Sequence, residues 1–370
     1  MASILFISLL VLFAVSVPIA VALGFSSIIA LKVKGIPLLT LAQSVFASLD
    51  SFSLMAVPFF ILAGNLMQNG GIAKRLVNLA NVIVGWIKGG LGAVAVLTSM
   101  FFATISGSGS ATTAAIGSIL IPAMKKKGYP TNFAAAIQAS SGELGVIIPP
   151  SISMIIFGLV ANVSVGDLFL AGVIPGILIG ISLIITISVI ARIKGYDTVH
   201  TFEFSTWFKD LFKAFVDAFL ALLMPVIILG GIYMGWFTPT EAAVVAVVYA
   251  FIIGTFVYRE IKPKDIIAIC GKSAVTTAII MFIVGFAAIF GYVLTMEQVP
   301  HKVGGAIAEL SGSPFVFLLL CNLLLFVTGM FMETIASIII LAPILAPVAT
   351  QFGIDPVHFG VVLCLNATIG

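Results

Sequence analysis

Apolar stretches long enough to cross a bilayer recur along this chain, near residues 3–31, 51–69, 133–162, 168–191, 217–236, 241–258 and 273–295. A hydrocarbon core of ~30 Å takes about 20 apolar residues as a helix. The runs therefore point to an all-α polytopic membrane protein. A transmembrane β-barrel would show segments of about 10 residues alternating apolar with polar, and that alternation is absent. With 8% charged and 61% hydrophobic residues, the chain also lies outside the range of soluble domains. The first run has no basic leader and is too long for a signal-peptide core, so it reads as one retained helix.

The net charge of +3 says less than where the cations fall. Lys74, Arg75, Lys88, Lys125, Lys126, Lys127, Arg192, Lys194, Lys209, Lys213, Arg259, Lys262, Lys264 and Lys272 can all be threaded to one face, leaving only Lys32, Lys34 and Lys302 opposite. The positive-inside rule makes the rich face cytoplasmic. Spread over separate loops, these charges do not make a nucleic-acid surface. Cys270, Cys321 and Cys364 stand far apart in apolar sequence and read as small buried side chains.

That threading requires the segment 91–124 to leave the membrane on the side where it entered, because Lys88 and Lys125 share a face. The segment holds two short apolar arms joined by "SGSGS" at 106–110. We read it as a re-entrant helical hairpin. Non-helical backbone survives at membrane depth only where protein buries it or where it lines a cavity, so this tip needs something to bind. A small-residue helix-packing motif is the alternative. The run 133–162 is broken in turn by "ASSGELGVIIPPS" at 139–151, where glycines and the Pro149, Pro150 pair interrupt a helix that also holds Glu143. An acid at such depth marks a pathway or a site, the alternative being a kinked helix with Glu143 near its aqueous end.

The pattern returns later. At a constant offset of 225, Ala111, Ile119, Leu120, Pro122, Gly128 and Gly145 fall on Ala336, Ile344, Leu345, Pro347, Gly353 and Gly370. A second hairpin spans about 314–350 around "TGMFMET" at 328–334, and a second broken helix starts at 357–370 with "NATIG". Counting crossings inverts one half against the other. The expected organisation is a first inverted repeat, 1–195, a cytoplasmic interfacial linker, 196–216, with Phe202, Phe204, Trp207 and Phe208 among its polar residues, and a second inverted repeat, 217–370. Paired interruptions in inverted halves indicate a transporter's binding site near the bilayer midplane, where helix N-termini attract anions and unwound carbonyls coordinate Na⁺. No catalytic set is present. "GKS" at 271–273 lacks the glycine of a phosphate loop, and His200, His301 and His358 lack metal-ligand spacing.

"SGSGSATTAAIGSILIPAM", "GELGVIIPPS", "GWFTPTEAAVVAVVYA" and "GMFMETIASIIILAPILAPV" together resemble the large membrane (M) subunit of the tripartite ATP-independent periplasmic (TRAP) transporters, over essentially the whole chain. The resemblance implies an elevator-type, Na⁺-coupled symporter in a bacterial inner membrane that works with a small TRAP membrane subunit and a periplasmic substrate-binding protein. Its implied cargo is an organic acid such as a sialic acid or C4-dicarboxylate. The family continues past "NATIG" into a Pro-Pro segment and a final helix, so a C-terminal truncation at Gly370 is expected. The resemblance implies a first Na⁺ site at Ser106, Gly107, Ser108, Ser110, Gly142 and Gly145. A second would draw on Gly329, Met332, Thr334, Asn366 and Thr368, with substrate contacts at Ser108, Ser110, Thr112, Pro149, Pro150, Met332 and Glu333. The alternative is a stand-alone Na⁺- or H⁺-coupled carboxylate carrier that needs no binding protein. In "TPTEAA" we expect Thr240 to cap a helix whose first turn holds Glu241, a structural role.

Overall fold

A computed structural model describes residues 2–196, 204–310, 313–330 and 332–369. The described residues contain helices and no strand. The chain opens with α1 (Ala2–Ala14), α2 (Ile19–Val33) and α3 (Leu39–Leu49), followed by α4 (Ala56–Asn69) and α5 (Ile72–Val84). The first hairpin is α6 (Gly90–Ser106) and α7 (Gly109–Lys126). The interrupted helix comes next as α8 (Thr131–Gly142), a single turn α9 (Leu144–Ile147) and α10 (Ile152–Ala161). Long helices α11 (Val165–Lys194), α12 (Phe204–Tyr233), α13 (Pro239–Ile252) and α14 (Pro263–Met296) lead to α15 (Val299–Leu310). The second hairpin is α16 (Pro314–Gly329) and α17 (Thr334–Gln351), and α18 (Pro356–Ile369) follows.

Among the described residues five helices are long and apolar enough to cross a membrane, or up to seven if each of two bent pairs counts as one span. This is the polytopic α-helical architecture that the apolar runs require. Residues 197–203 of the expected linker, with His200 and Phe202, lie outside the described residues, as do Phe331 and Gly370.

Two compact units form. One comprises Met1–Met55, Ser153–Leu168 and Ala274–Gly370, the other Ala56–Ile152 and Phe169–Ser273. In the first, the run 3–31 is a pair of helices packed on each other, which corrects the single helix expected from sequence. The break falls where Ser16 takes a φ of 60° and Pro18 caps the next helix, because proline disfavours helix in the residue before it. Lys34 donates a 2.7 Å hydrogen bond to Glu297 Oε1, joining the end of α2 to the end of α14. It also holds the Glu297 carboxyl below the usual carboxylate range. A depressed carboxyl stabilises at neutral pH, and its contribution fades as pH falls through the folded value. The exposure of Lys34 keeps the effect small.

In the second unit, α13 presents Ala242, Ala243, Ala246 and Ala250 to α4, and such small residues let the backbones approach. α5 buries Ile72, Ala73, Leu76, Leu79 and Ala80, spaced as one helical face, and exposes Lys74, Asn78 and Asn81. Arg75 ties α5 to its neighbours through Asp217 at 3.4 Å, Glu260 at 3.8 Å and the ring of Tyr258. The cap of α13 is Thr238, and this corrects the expectation of Thr240. Pro239 has its φ fixed near the helical value and no N–H to satisfy, so it occupies the first helical position and the cap must precede it. The Thr238 hydroxyl accepts from the Glu241 N–H at 3.3 Å, and the Glu241 carboxylate accepts from the Thr238 N–H at 2.8 Å. Thr238→Ala is therefore expected to cost about 1 kcal/mol of stability with no change in substrate preference, as read by thermal unfolding beside uptake. Cys321 and Cys364 are buried, whereas Cys270 is exposed on α14, which corrects its sequence reading as a buried side chain.

Candidate functional site

The tip of the first hairpin is built by glycine. Gly107 ends α6 at a φ of 60°, a left-handed conformation that side chains resist. Ser108 then caps α7, its hydroxyl accepting from the Ala111 N–H at 3.5 Å. The chain reverses between Ser106 and Gly109, as the helix-breaking glycines predict.

Around that turn the oxygens gather. The hydroxyls of Ser106 and Thr112 are 2.7 Å apart, and both approach the carbonyl of Ser108, at 3.3 and 2.8 Å. The Ser110 hydroxyl lies 3.2 Å from that of Ser108. Ser106 and Thr112 are buried, Ser110 exposed.

The interrupted helix closes on the tip through backbone. The Ile152 N–H donates to the carbonyl of Gly107 at 3.2 Å. A Cβ on Gly107 would sit 2.9 Å from the Pro150 carbonyl, and one on Gly145 only 2.6 Å from both the Ser108 carbonyl and the Thr112 hydroxyl. One on Gly142 would overlap the Thr113 side chain. The structure thus brings together Ser106, Gly107, Ser108, Ser110, Thr112, Gly142, Gly145 and Pro150, with Pro149 next along the chain. Glu143 borders the same point, its Oε2 lying 3.2 Å from where a Cβ on Gly109 would be. A carboxylate there faces the positive end of α7.

The second hairpin is assembled differently. Gly329 closes α16, and Met332 donates its N–H to the Thr328 carbonyl at 3.0 Å. Glu333 caps α17, its carboxylate accepting from the N–H groups of Ile335 at 2.9 Å and Ala336 at 3.2 Å. Thr334 reaches across to α18, donating to the Ala367 carbonyl at 3.4 Å. Asn366 donates to Asn322 Oδ1 at 2.9 Å and to the Val362 carbonyl at 2.8 Å, and Thr368 donates to the Cys364 carbonyl at 2.6 Å. The hairpin and α18 therefore meet at Thr334 and Asn366, while the Thr368 hydroxyl serves its own helix.

Two polar residues here escape the sequence reading. Asn322 lies in the apolar arm α16 and reads as part of it. Ser337 is fully buried and its hydroxyl has no hydrogen-bond partner. The 225-residue offset maps Ser337 onto Thr112 and Glu333 onto Ser108, cap onto cap, so the repeat holds the signal that finds it. Among the described residues no group of three or more His, Cys, Asp or Glu could hold a metal. What both tips offer is hydroxyl and carbonyl oxygen, the ligands that hard cations prefer.

Comparison with known proteins follows the same direction. The family described as "Tripartite ATP-independent periplasmic transporter, DctM component" matches residues 6–370. The C4-dicarboxylate TRAP transporter large permease protein DctM of Pseudomonas aeruginosa is 44% identical over 331 residues, covering 90% of this chain and 77% of the relative. The sialic acid TRAP transporter large permease protein SiaM of Vibrio cholerae is 42% identical, covering 89% and 76%. The 2,3-diketo-L-gulonate TRAP transporter large permease protein YiaN of Escherichia coli is 38% identical, covering 89% and 77%. Among solved structures, the YdaH transporter of Alcanivorax borkumensis aligns with a TM-score of 0.58 at 16% identity, over 89% of this chain and 75% of that one. At that identity the likeness concerns the fold alone.

Proposed function

The chain belongs to the tripartite ATP-independent periplasmic transporter family, as its DctM component, and we propose that it is the large membrane subunit of a Na⁺-coupled organic-acid importer. Its place is a bacterial inner membrane. Its partners are a small TRAP membrane subunit and a periplasmic substrate-binding protein that delivers the acid, of sialic acid or C4-dicarboxylate type. The relatives are named for several different acids, so what they share is the anion.

The observation that carries the reading is the oxygen cluster of Ser106, Ser108 and Thr112, sealed by glycine contacts against the interrupted helix. Na⁺ at the first tip draws on Ser106, Gly107, Ser108, Ser110, Gly142 and Gly145, and at the second on Gly329, Met332, Thr334, Asn366 and Thr368. Charge supports a cation at both. The start of α7 is bordered by Glu143 and the start of α17 is capped by Glu333, so each positive helix end already faces a protein carboxylate. A second anion gains little there, whereas a cation gains from the carboxylate. Bound Na⁺ then supplies the positive charge that an acid substrate needs, beside Ser108, Ser110, Thr112, Pro149 and Pro150 at the first tip and beside Met332 at the second, where Glu333 acts on the substrate through the cation. Import proceeds by elevator-type alternating access, with residues 1–195 and 217–370 as inverted repeats.

The test is uptake by reconstituted vesicles with and without the binding protein. Ser106→Ala and Ser108→Ala are each expected to raise the Na⁺ concentration for half-maximal uptake by about two- to tenfold, the equivalent of one hydrogen-bonding oxygen. Parent-like Na⁺ curves in both variants would remove the side chains from the site. Full uptake without a binding protein would favour a stand-alone carrier.

A further inference from the structure

We propose that the end of the second unit where α6 begins and α7 and α11 finish is a binding site for anionic phospholipid headgroups. Three chain segments meet there. A Cβ on Gly89 would fall 2.6 Å from that of Ala191, so Lys88 lies beside the last turns of α11. Just past α7, Tyr129 stacks on Phe133 at 6.2 Å and meets Tyr196, just past α11, at 5.6 Å. Phe133 and Tyr196 lie 5.7 Å apart. This aromatic triad fixes the ends of α7 and α11 against the start of α8, so their charges form one patch rather than separate tails.

The charges are Lys88, Lys125, Lys126, Lys127, Arg192 and Lys194, all exposed. Residues 85–90, 125–133 and 188–196 contain no acid, and the next one in sequence, Asp197, lies outside the described residues. Trp207 donates its indole N–H to the Val82 carbonyl at 2.8 Å, which brings the start of α12, with Lys209 and Asp210, toward the same end. Cations gathered at one end of the unit attract a shared anionic partner.

The surroundings select the partner. Trp86 and Ile193 flank the cations and are 41% and 75% exposed. A soluble polyanion asks for cations alone. Cations rimmed by exposed tryptophan and isoleucine, at the ends of apolar helices, suit the boundary between headgroups and acyl chains. Phosphate oxygens take the lysines and arginine, and the apolar rim takes the upper acyl carbons.

The test titrates delipidated full-length chain in detergent with phosphatidylglycerol or phosphatidylcholine, reading retained lipid by native mass spectrometry and the melting temperature. The parent is expected to retain phosphatidylglycerol preferentially, with a higher melting temperature that high salt reverses. K125Q/K126Q/K127Q/R192Q is expected to bind phosphatidylglycerol roughly tenfold or more weakly, while melting like the parent in phosphatidylcholine. Equal retention of the two lipids by the parent, or equal phosphatidylglycerol retention by parent and variant, overturns the proposal. So does tighter binding of soluble polyglutamate than of phosphatidylglycerol. Uptake plays no part in the readout, so the result is independent of the transport reading.

Discussion

Gly145→Ala is expected to reduce Na⁺-dependent uptake by about 100-fold while leaving the chain inserted in the membrane. The added carbon would lie 2.6 Å from the Ser108 carbonyl and from the Thr112 hydroxyl, and 2.8 Å from the Ser108 carbonyl carbon. Two of those three atoms are backbone, so no flexible side chain can swing aside. The hairpin tip and α9 must separate, and a displacement of about 1 Å at a positioned site costs on the order of 100-fold in rate. Overpacking adds about 1–3 kcal/mol of destabilisation. Gly230→Ala supplies the control, since a Cβ there meets nothing within 4 Å and alanine favours a helix over glycine by about 1 kcal/mol. Uptake in proteoliposomes, with inserted protein quantified in parallel, separates the outcomes. A Gly145→Ala variant with parental uptake would show that the close approach of tip and break has no part in transport.

The features legible in the sequence are those that single residues dictate. "SGSGS" breaks a helix wherever it falls, and the structure turns between Ser106 and Gly109. The Pro149, Pro150 pair cannot continue a helix, and α9 ends at Ile147. Both hairpins and both following helices are legible for that reason. The errors share another cause. Thr238 and Thr240 are both good caps, and only the position of Pro239 at the first helical residue decides between them. The run 3–31 is apolar throughout, so Pro18 is too weak a signal to divide it. Asn322 and Ser337 sit in apolar arms, where sequence shows a polar residue without showing its rotation about the helix. Their relevance comes from hydrogen bonding, which pairs Asn322 with Asn366 and leaves the buried Ser337 hydroxyl without a partner. The charge at the tips is also hidden. Sequence points to helix N-termini open to an anion, whereas Glu143 stands at α7 from another element and Glu333 bonds the first N–H groups of α17.

Thr112→Val is expected to raise the Na⁺ concentration for half-maximal uptake by roughly tenfold or more, and Thr112→Ser to leave it near the parent value. Valine matches threonine in shape, so the change removes the hydroxyl and little else. That hydroxyl lies 2.7 Å from the Ser106 hydroxyl and 2.8 Å from the Ser108 carbonyl, in a fully buried position. Its loss removes one hydrogen bond from each of two oxygens, at about 0.5–1.5 kcal/mol apiece, and each 1.4 kcal/mol is about a factor of ten in affinity. Serine keeps the oxygen and loses only a methyl group, so it distinguishes chemistry from packing. The thermal midpoint in the absence of Na⁺ provides the second reading. A Val variant whose midpoint falls while its Na⁺ curve stays parental assigns Thr112 to the hairpin's internal structure and removes it from the ion site. A Na⁺ curve shifted in Val and restored in Ser, at comparable Na⁺-free stability, is the result that the oxygen cluster requires.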